Sequence, residues 1–137
     1  MMKYNQLLIM TFLLSFLLGC TKDKLDYRQQ FVGEYSFEYC YRVTAPNPEL
    51  CDTITYKGFI RMEDEDSEYD DRIYIDLPNG SEKMFSIDEA GTLMRCGDAV
   101  GSIVSETVQF ELDDDQWDCV PGPLGWNYLV TVTGTKL

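Results

Sequence analysis

Hydrophobic side chains recur at every second position over much of the chain from residue 31 onward. In Phe31–Val43 aromatic residues, valine and glycine alternate with mainly polar residues, and a similar alternation runs through Cys51–Met62. A period of two is typical of strands with one buried face, because successive side chains of a strand point to opposite sides of the sheet. No stretch after residue 19 has the period of a helix. We therefore predict an all-β domain.

The first two predicted strands form a hairpin around Pro46-Asn47-Pro48, which cannot continue a ladder of hydrogen bonds. Matching their buried faces sets Cys40 opposite Cys51, and Glu34 opposite Lys57 on the other face. A slip by one residue would bring a buried face against an exposed one, so the pattern favours this register. The core pairs that it predicts are Phe37 with Ile54, Tyr35 with Tyr56, Gly33 with Gly58, and Phe31 with Ile60.

A second hairpin is indicated by Asn79-Gly80, a dipeptide typical of two-residue β-turns because both residues tolerate positive φ. It connects Asp71–Leu77 to Ser81–Ile87. A two-residue turn there predicts two cross-strand pairs, Asp76 with Lys83 and Ile75 with Met84.

Three further strands are predicted at Thr92–Cys96, around Val104–Leu112 and at Trp126–Thr133. The total is about seven strands with short connections and no internal repeat. Because closure removes exposed strand edges, we expect a small antiparallel meander that is closed, or nearly closed, into a barrel.

The N-terminal segment, residues 1–19, is predicted to be an export signal. Lys3 precedes the largely apolar run Leu7–Leu18, whose twelve residues are too few to span a membrane. The run leads into Leu17-Leu18-Gly19-Cys20, which resembles the lipobox of bacterial lipoproteins. This resemblance implies cleavage before Cys20 and attachment of lipid to its thiol. The alternative is an ordinary signal peptide after which Cys20 pairs with another cysteine.

Residues 20–30 are predicted to be the lipidated cysteine followed by a polar tether, Thr21–Gln30, which holds a domain of residues 31–137 off the membrane. Lys22-Asp23 is similar to the charged export signals of Bacteroidota surface lipoproteins. Thr21 differs from the aspartate that retains lipoproteins in the inner membrane of enteric bacteria. The resemblance implies a lipoprotein anchored in the outer membrane, on its periplasmic or its surface-exposed face.

Four cysteines remain besides Cys20: Cys40, Cys51, Cys96 and Cys119. They allow three pairings. In an exported protein the hairpin register favours a Cys40–Cys51 disulfide, which leaves Cys96 to pair with Cys119. A zinc site of four thiolates is disfavoured, because the spacing contains no Cys-x-x-Cys.

The two ends of the predicted domain resemble those of lipocalin-like lipoproteins of Bacteroidota. Phe31-Val32-Gly33-Glu34-Tyr35 is similar to their first strand, and Val130–Lys136 to their last. Wider lipocalins carry a tryptophan in the first strand with a late arginine stacked on it. Here the aromatic residue is Tyr35 and the late cation is Lys136. The resemblance implies a lipocalin-like barrel.

The chain contains no histidine and has a formal net charge of −13. The absence of histidine removes the usual general base, the Ser-His and Cys-His arrangements and the imidazole ligands of zinc. The acidic balance excludes a basic face for nucleic acid. We expect no catalytic residue, no cofactor and no nucleic-acid partner.

Two acidic runs, Glu63–Asp71 and Asp113–Asp118, contain enough carboxylates to supply oxygen ligands to Ca²⁺. Neither has the spacing of an EF-hand loop, and no cleft is predicted that would let paired carboxylates act on a glycoside. We predict that both runs are solvated turns between strands and that neither binds a metal.

Most of the aromatic residues are predicted to lie in the core. The segment Trp117–Trp126 is long enough to form a lid or a contact surface. A barrel of seven or eight strands is either filled by side chains or has room for one small ligand. One hypothesis is a lipid-anchored, non-enzymatic binding or accessory module for a small apolar ligand or an envelope protein. The alternative is a structural or inhibitory surface protein with a filled core and no pocket.

Overall fold

Each of eight antiparallel strands is hydrogen-bonded to the next along the chain, and the last returns to the first, so the sheet closes into a barrel. The computed structural model describes residues 26–45, 51–62, 71–120 and 127–137. The predicted all-β class and closed antiparallel meander are confirmed. The strands are β1 (Gly33–Ala45), β2 (Ile54–Met62), β3 (Arg72–Asp76), β4 (Glu82–Ile87), β5 (Thr92–Arg95), β6 (Asp98–Val104), β7 (Thr107–Asp113) and β8 (Asn127–Lys136).

Two short helices accompany the barrel in the described part of the chain. A 3₁₀ helix, Tyr27–Gln30, precedes β1, and an α-helix, α1 (Asp114–Asp118), lies between β7 and β8. No helix within the described ranges has the length and apolar character needed to cross a membrane.

The eighth strand, β6, is the one that the sequence prediction missed. The chain reverses at Cys96-Gly97, where both residues have positive φ (55° and 91°), and again at Ser105, where φ is 56°. Gly101 interrupts the alternation in β6, because it lies opposite Phe110, and a Cβ atom there would lie 2.5 Å from the Cβ atom of Phe110. Gly101 leaves room for the Phe110 side chain. Because glycine stands where an inward apolar side chain would be expected, the alternation typical of a strand is not visible in this part of the sequence.

β1 and β2 pair through the predicted faces, but two residues away from the predicted register. Tyr35 lies opposite Gly58 and Phe37 opposite Tyr56, so Glu34 faces Phe59 and not Lys57. The prediction matched residues of similar size, whereas the interior places glycine beside aromatic rings. A Cβ atom on Gly58 would lie 3.3 Å from Cε2 of Phe37.

The hairpin of β3 and β4 differs from the prediction by one residue. The backbone N–H of Leu77 donates to the carbonyl of Ser81 (2.8 Å), so the turn has three residues, Pro78–Gly80, with Gly80 at φ 78°. Pro78 takes the second position of a type I turn, which its fixed φ suits, and the glycine adds a bulge. The observed pairs are Asp76 with Glu82 and Ile75 with Lys83.

Inward side chains fill the barrel over most of its length. The filling is tight because glycines lie against rings: a Cβ atom on Gly134 would lie 2.6 Å from Cδ1 of Phe37. The buried core consists of Phe31, Tyr35, Phe37, Ile60, Ile73, Ile75, Phe85, Ile87, Leu93, Ile103, Val108, Phe110, Leu112, Val130 and Val132.

The 3₁₀ helix closes the end of the barrel at which β1 begins, called here the proximal end. The hydroxyl of Tyr27 donates to the carbonyl of Ile87 (2.6 Å), and Nη1 of Arg28 donates to the carbonyl of Arg72 (3.0 Å). Arg28 is only 1% exposed, and its guanidinium pairs with the Asp26 carboxylate. Residues 26–30, the end of the predicted tether, are therefore packed on the barrel.

Both predicted disulfides are present. The Cα atoms of Cys40 and Cys51 are 5.7 Å apart, and those of Cys96 and Cys119 are 5.2 Å apart. The first disulfide forms despite the two-residue difference in register, because Cys51 precedes the start of β2 and is not bound to its ladder.

Candidate functional site

A cleft of about 410 Å³ opens at the distal end of the barrel, where β1 and β7 end and β8 begins. It continues the barrel interior outward, since Leu112 and Val130 belong to the core and also line the cleft. We call it the aromatic cleft. Its lining residues are Tyr39, Tyr41, Leu112, Asp113, Asp114, Trp117, Asp118, Tyr128 and Val130.

The tyrosines of the cleft come from the inward faces of two paired strands. Along β1 every second residue from Tyr35 to Tyr41 is aromatic, and exposure rises from 0% at Tyr35 to 46% at Tyr41. The alternation therefore extends past the filled part of the barrel and brings Tyr39 and Tyr41 to its mouth. Tyr41 stacks on Tyr128 of β8, with ring centroids 5.4 Å apart.

Helix α1 forms one wall of the cleft and presents Trp117. It begins with a capping box, in which the N–H of Gln116 donates to Oδ1 of Asp113 (2.9 Å) and the Asp113 N–H donates to Oε1 of Gln116 (3.3 Å). Acidic residues in a first turn also suit the helix dipole. The prediction that Asp113–Asp118 is only a solvated turn is therefore wrong, because these carboxylates start a helix.

Two inward cations hold the carboxyl end of α1. Nε of Arg95 donates to the carbonyl of Gln116 (2.7 Å), and Nη2 donates to the carbonyl of Trp117 (2.6 Å). Nζ of Lys83 donates to the same Trp117 carbonyl (2.8 Å). Cations are favourable beside the terminal carbonyls of a helix. The Cys96–Cys119 disulfide adds a covalent link between the residue after α1 and the β5–β6 turn.

The ammonium group of Lys83 also contacts an aromatic ring and a carboxylate. Its Nζ lies 4.1 Å from the ring centroid of Trp117 and 3.0 Å from Oδ1 of Asp118. Lys83 reaches this position because the three-residue turn places it on the inward face of β4. The predicted pairing of Lys83 with Asp76 is wrong for the same reason. Asp76 instead accepts a hydrogen bond from the Phe59 N–H (2.9 Å).

The charge of the cleft is negative at neutral pH. Burial raises the pKa of Tyr39, and burial together with the neighbouring Tyr128 raises the pKa of Tyr41, so both hydroxyls are uncharged. The charged lining groups are the carboxylates of Asp113, Asp114 and Asp118. None of the nine lining residues, all within the described ranges, is lysine or arginine.

A second depression, of about 350 Å³, adjoins the cleft on the side of β2. It is lined by Tyr39, Ile54, Leu77, Pro78, Asn79 and Trp117. Its position follows from the short pairing of β2 with β3, which covers only the stretch from Ile60 to Met62 on β2. Tyr39 and Trp117 line both cavities and stand between them.

The structure describes some of the residues singled out in the sequence and not others. Cys20 and the acidic residues at 63–70 lie outside the described residues, as does the segment 121–126 of the predicted lid. Trp117 lines the cleft, and both disulfides attach near the distal end. Within the described ranges, no group of three or more cysteine or acidic residues has the arrangement needed to hold a metal ion.

Sequence reasoning missed Lys83, Arg95 and the tyrosine pair at the mouth. One signal was available for Lys83, which has the same parity in β4 as the buried Phe85 and Ile87. Comparison with known proteins finds no match among family models, curated proteins or solved structures.

Proposed function

We propose that the protein is a non-enzymatic binding module of the cell envelope, held to the membrane by lipid on Cys20, and that the aromatic cleft is its ligand site. The observation that carries this proposal is the cleft itself, a concave site of about 410 Å³ at the mouth of an otherwise filled barrel. Its volume lies within the range of small-molecule sites, about 300–1,000 Å³, and its aromatic lining is typical of them.

The positions of the two ends support an anchored orientation. Asp26 is six positions after Cys20 in the sequence, and a chain of six residue steps spans at most about 20 Å. Asp26 lies beside the 3₁₀ helix at the proximal end, whereas the cleft opens at the distal end. A lipid on Cys20 would hold the proximal end towards the bilayer and leave the cleft facing away from it. We place this anchor in the outer membrane, as the residues around Cys20 imply.

A non-enzymatic role is supported by the groups that the cleft offers. The chain has no histidine, and the hydroxyls of Tyr39 and Tyr41 stay protonated at neutral pH because burial raises their pKa. Asp113 caps α1 and Asp118 pairs with Lys83, so two of the three carboxylates already serve the structure. A cleft lined by uncharged aromatic hydroxyls and structural carboxylates is suited to binding a ligand without changing it chemically.

The test compares two equally exposed aromatic residues. Tyr41 in the cleft is 46% exposed, and Phe59 on the outer wall is 49% exposed, so Tyr41→Ala and Phe59→Ala each remove one half-exposed aromatic ring. Protein isolated from membranes under mild conditions is analysed by native mass spectrometry. We expect a bound small molecule with the wild type and Phe59→Ala, and its loss with Tyr41→Ala. Retention in both variants would refute the cleft as the site.

The anchor is tested separately by Cys20→Ser. We expect this variant to lose its acyl chains and to leave the membrane fraction or remain unprocessed. Acylated Cys20→Ser protein in the membrane fraction would contradict the proposal.

The alternative function is a structural surface protein without a ligand. The filled interior favours it, since Tyr35, Phe37, Phe85 and Phe110 are each at most 1% exposed and leave the central part of the barrel packed. Wild-type protein that carries no small molecule in native mass spectra would support this alternative.

A further inference from the structure

We infer that the ligand of the aromatic cleft is a small organic cation, an amine or quaternary ammonium compound with apolar substituents. The inference rests on the proposed function of the cleft as a ligand site and adds the chemical class of the ligand. Two observations support it. The lining combines aromatic rings with carboxylates, and the ammonium group of Lys83 is already bound between a ring and a carboxylate at one wall of the cleft.

Four of the nine lining residues are aromatic: Tyr39, Tyr41, Trp117 and Tyr128. The negative faces of such rings attract a positive group, most strongly where water is excluded. The floor, formed by Leu112 and Val130, is buried and apolar, so it accommodates alkyl substituents rather than a hydrated metal ion.

The carboxylates at the cleft are only partly neutralised by the protein. Asp118 pairs with Lys83, but no lysine or arginine in the described part of the chain forms an ion pair with Asp113 or Asp114. An anionic ligand would meet these like charges with no cation in the lining to balance it. The net charge of −13 acts in the same direction, because it attracts cations to the protein and repels anions.

Lys83 shows how a cation is held at this wall. Its ammonium lies 4.1 Å from the Trp117 ring centroid and 3.0 Å from a carboxylate oxygen of Asp118. A ligand cation between the tyrosines and Asp114 would meet the same two kinds of group in the cleft. The protein therefore contains an internal example of the recognition that we infer.

The experiment uses two probes of nearly equal shape, acetylcholine and 3,3-dimethylbutyl acetate, in which a neutral carbon replaces the ammonium nitrogen. Calorimetric titration of the purified protein should show the cation binding at least tenfold more tightly than the neutral ester, which corresponds to about 1.4 kcal/mol. Asp114→Asn should weaken cation binding about threefold or more and leave the neutral ester unaffected. Glu89→Gln, at an exposed position of the proximal end, removes the same charge and should change neither affinity.

Tyr41→Leu should lower the affinity for acetylcholine several-fold, and thermal unfolding of each variant establishes that it is folded. Equal affinity for the two esters would overturn the cation class while leaving the cleft as a site for neutral ligands. Binding of neither ester would also overturn it, and native mass spectrometry then decides the proposed function independently. An equal effect of Asp114→Asn and Glu89→Gln would attribute the preference to net charge and refute the local site.

Discussion

Gly91 is the position at which a single methyl group should damage the barrel most clearly. Its φ of +86° lies in the left-handed region, and a Cβ atom there would lie 2.1 Å from the carbonyl oxygen of Ile103. The same two residues share a backbone hydrogen bond, in which the N–H of Ile103 donates to the carbonyl of Gly91 (2.7 Å). Gly91→Ala therefore cannot be accommodated without separating β5 from β6.

Two other glycines supply matched controls. Gly80 (φ +78°) and Gly97 (φ +91°) have similar backbone conformations, but a Cβ atom on either meets nothing within 4 Å. Alanine in the left-handed region costs about 1–2 kcal/mol, and the lower entropy of the unfolded chain returns about 0.4–1 kcal/mol. We therefore expect Gly80→Ala and Gly97→Ala to lower the free energy of unfolding by about 1 kcal/mol.

Gly91→Ala lowers the free energy of unfolding through the same backbone effect and through two further effects. Forced displacement of packed backbone costs about 1–3 kcal/mol, and a lost hydrogen bond costs about 1 kcal/mol. The expected total is about 3–5 kcal/mol. For a domain of this size that corresponds to a fall in Tm of roughly 12–20 °C, against about 4 °C for the controls. Urea unfolding at 25 °C measures all three variants. A Gly91→Ala variant as stable as Gly80→Ala would refute the contact between β5 and β6.

Three further predictions concern ionic and covalent contacts. The Arg28 guanidinium lowers the pKa of Asp26 in the folded protein, so its contribution is complete above the unfolded value of about 3.9 and disappears as pH falls through the folded value. Asp26→Asn should accordingly be less stable than the wild type at pH 7, with a difference that shrinks below about pH 4 in urea titrations; a constant difference would contradict this. Lys83→Met should lower the free energy of unfolding by about 1–2 kcal/mol, because it removes one of the two cations that bind the carboxyl end of α1, whereas the exposed Lys57→Met should have no effect. Replacing both Cys96 and Cys119 by alanine should cost about 3 kcal/mol, as expected for a separation of 23 residues, and a loss under 1 kcal/mol would argue against this link.

The buried faces of β1 and β2 were predictable from the sequence, but the pairing of these two strands was less so. Alternation identified the inward set of β1 because polar and apolar residues exchange places at every step. It does not distinguish registers that differ by two residues, since both bury the same side chains. The register of β1 and β2 depends on Gly58 lying beside the ring of Phe37. This contact reflects the space available inside the closed barrel, which the alternation of residues does not show.

The candidate site was harder to predict because it depends on turn geometry and closure. One residue more in the β3–β4 turn moves Lys83 from the outer face to the inner one, and only then can it reach Trp117. The disulfide partners were predictable because cysteines beside paired strands have few choices. The stacking of Tyr41 on Tyr128 was not, since these residues are brought together only when the first strand meets the last.

Closure of the barrel by β1 and β8 also governs the order of events when the chain folds. Tyr35 and Lys136 face each other although they are roughly a hundred residues apart in sequence. Such distant pairing is entropically slow to form, and sheets that depend on it fold in milliseconds to seconds. When the chain emerges from its amino end, β1 is available first, and one edge of that strand stays unpaired until β8 is available. The Cys40–Cys51 hairpin, whose cysteines are 11 residues apart, can secure the other edge early. The interval before β8 becomes available is therefore when the folding chain is most exposed to aggregation and proteolysis.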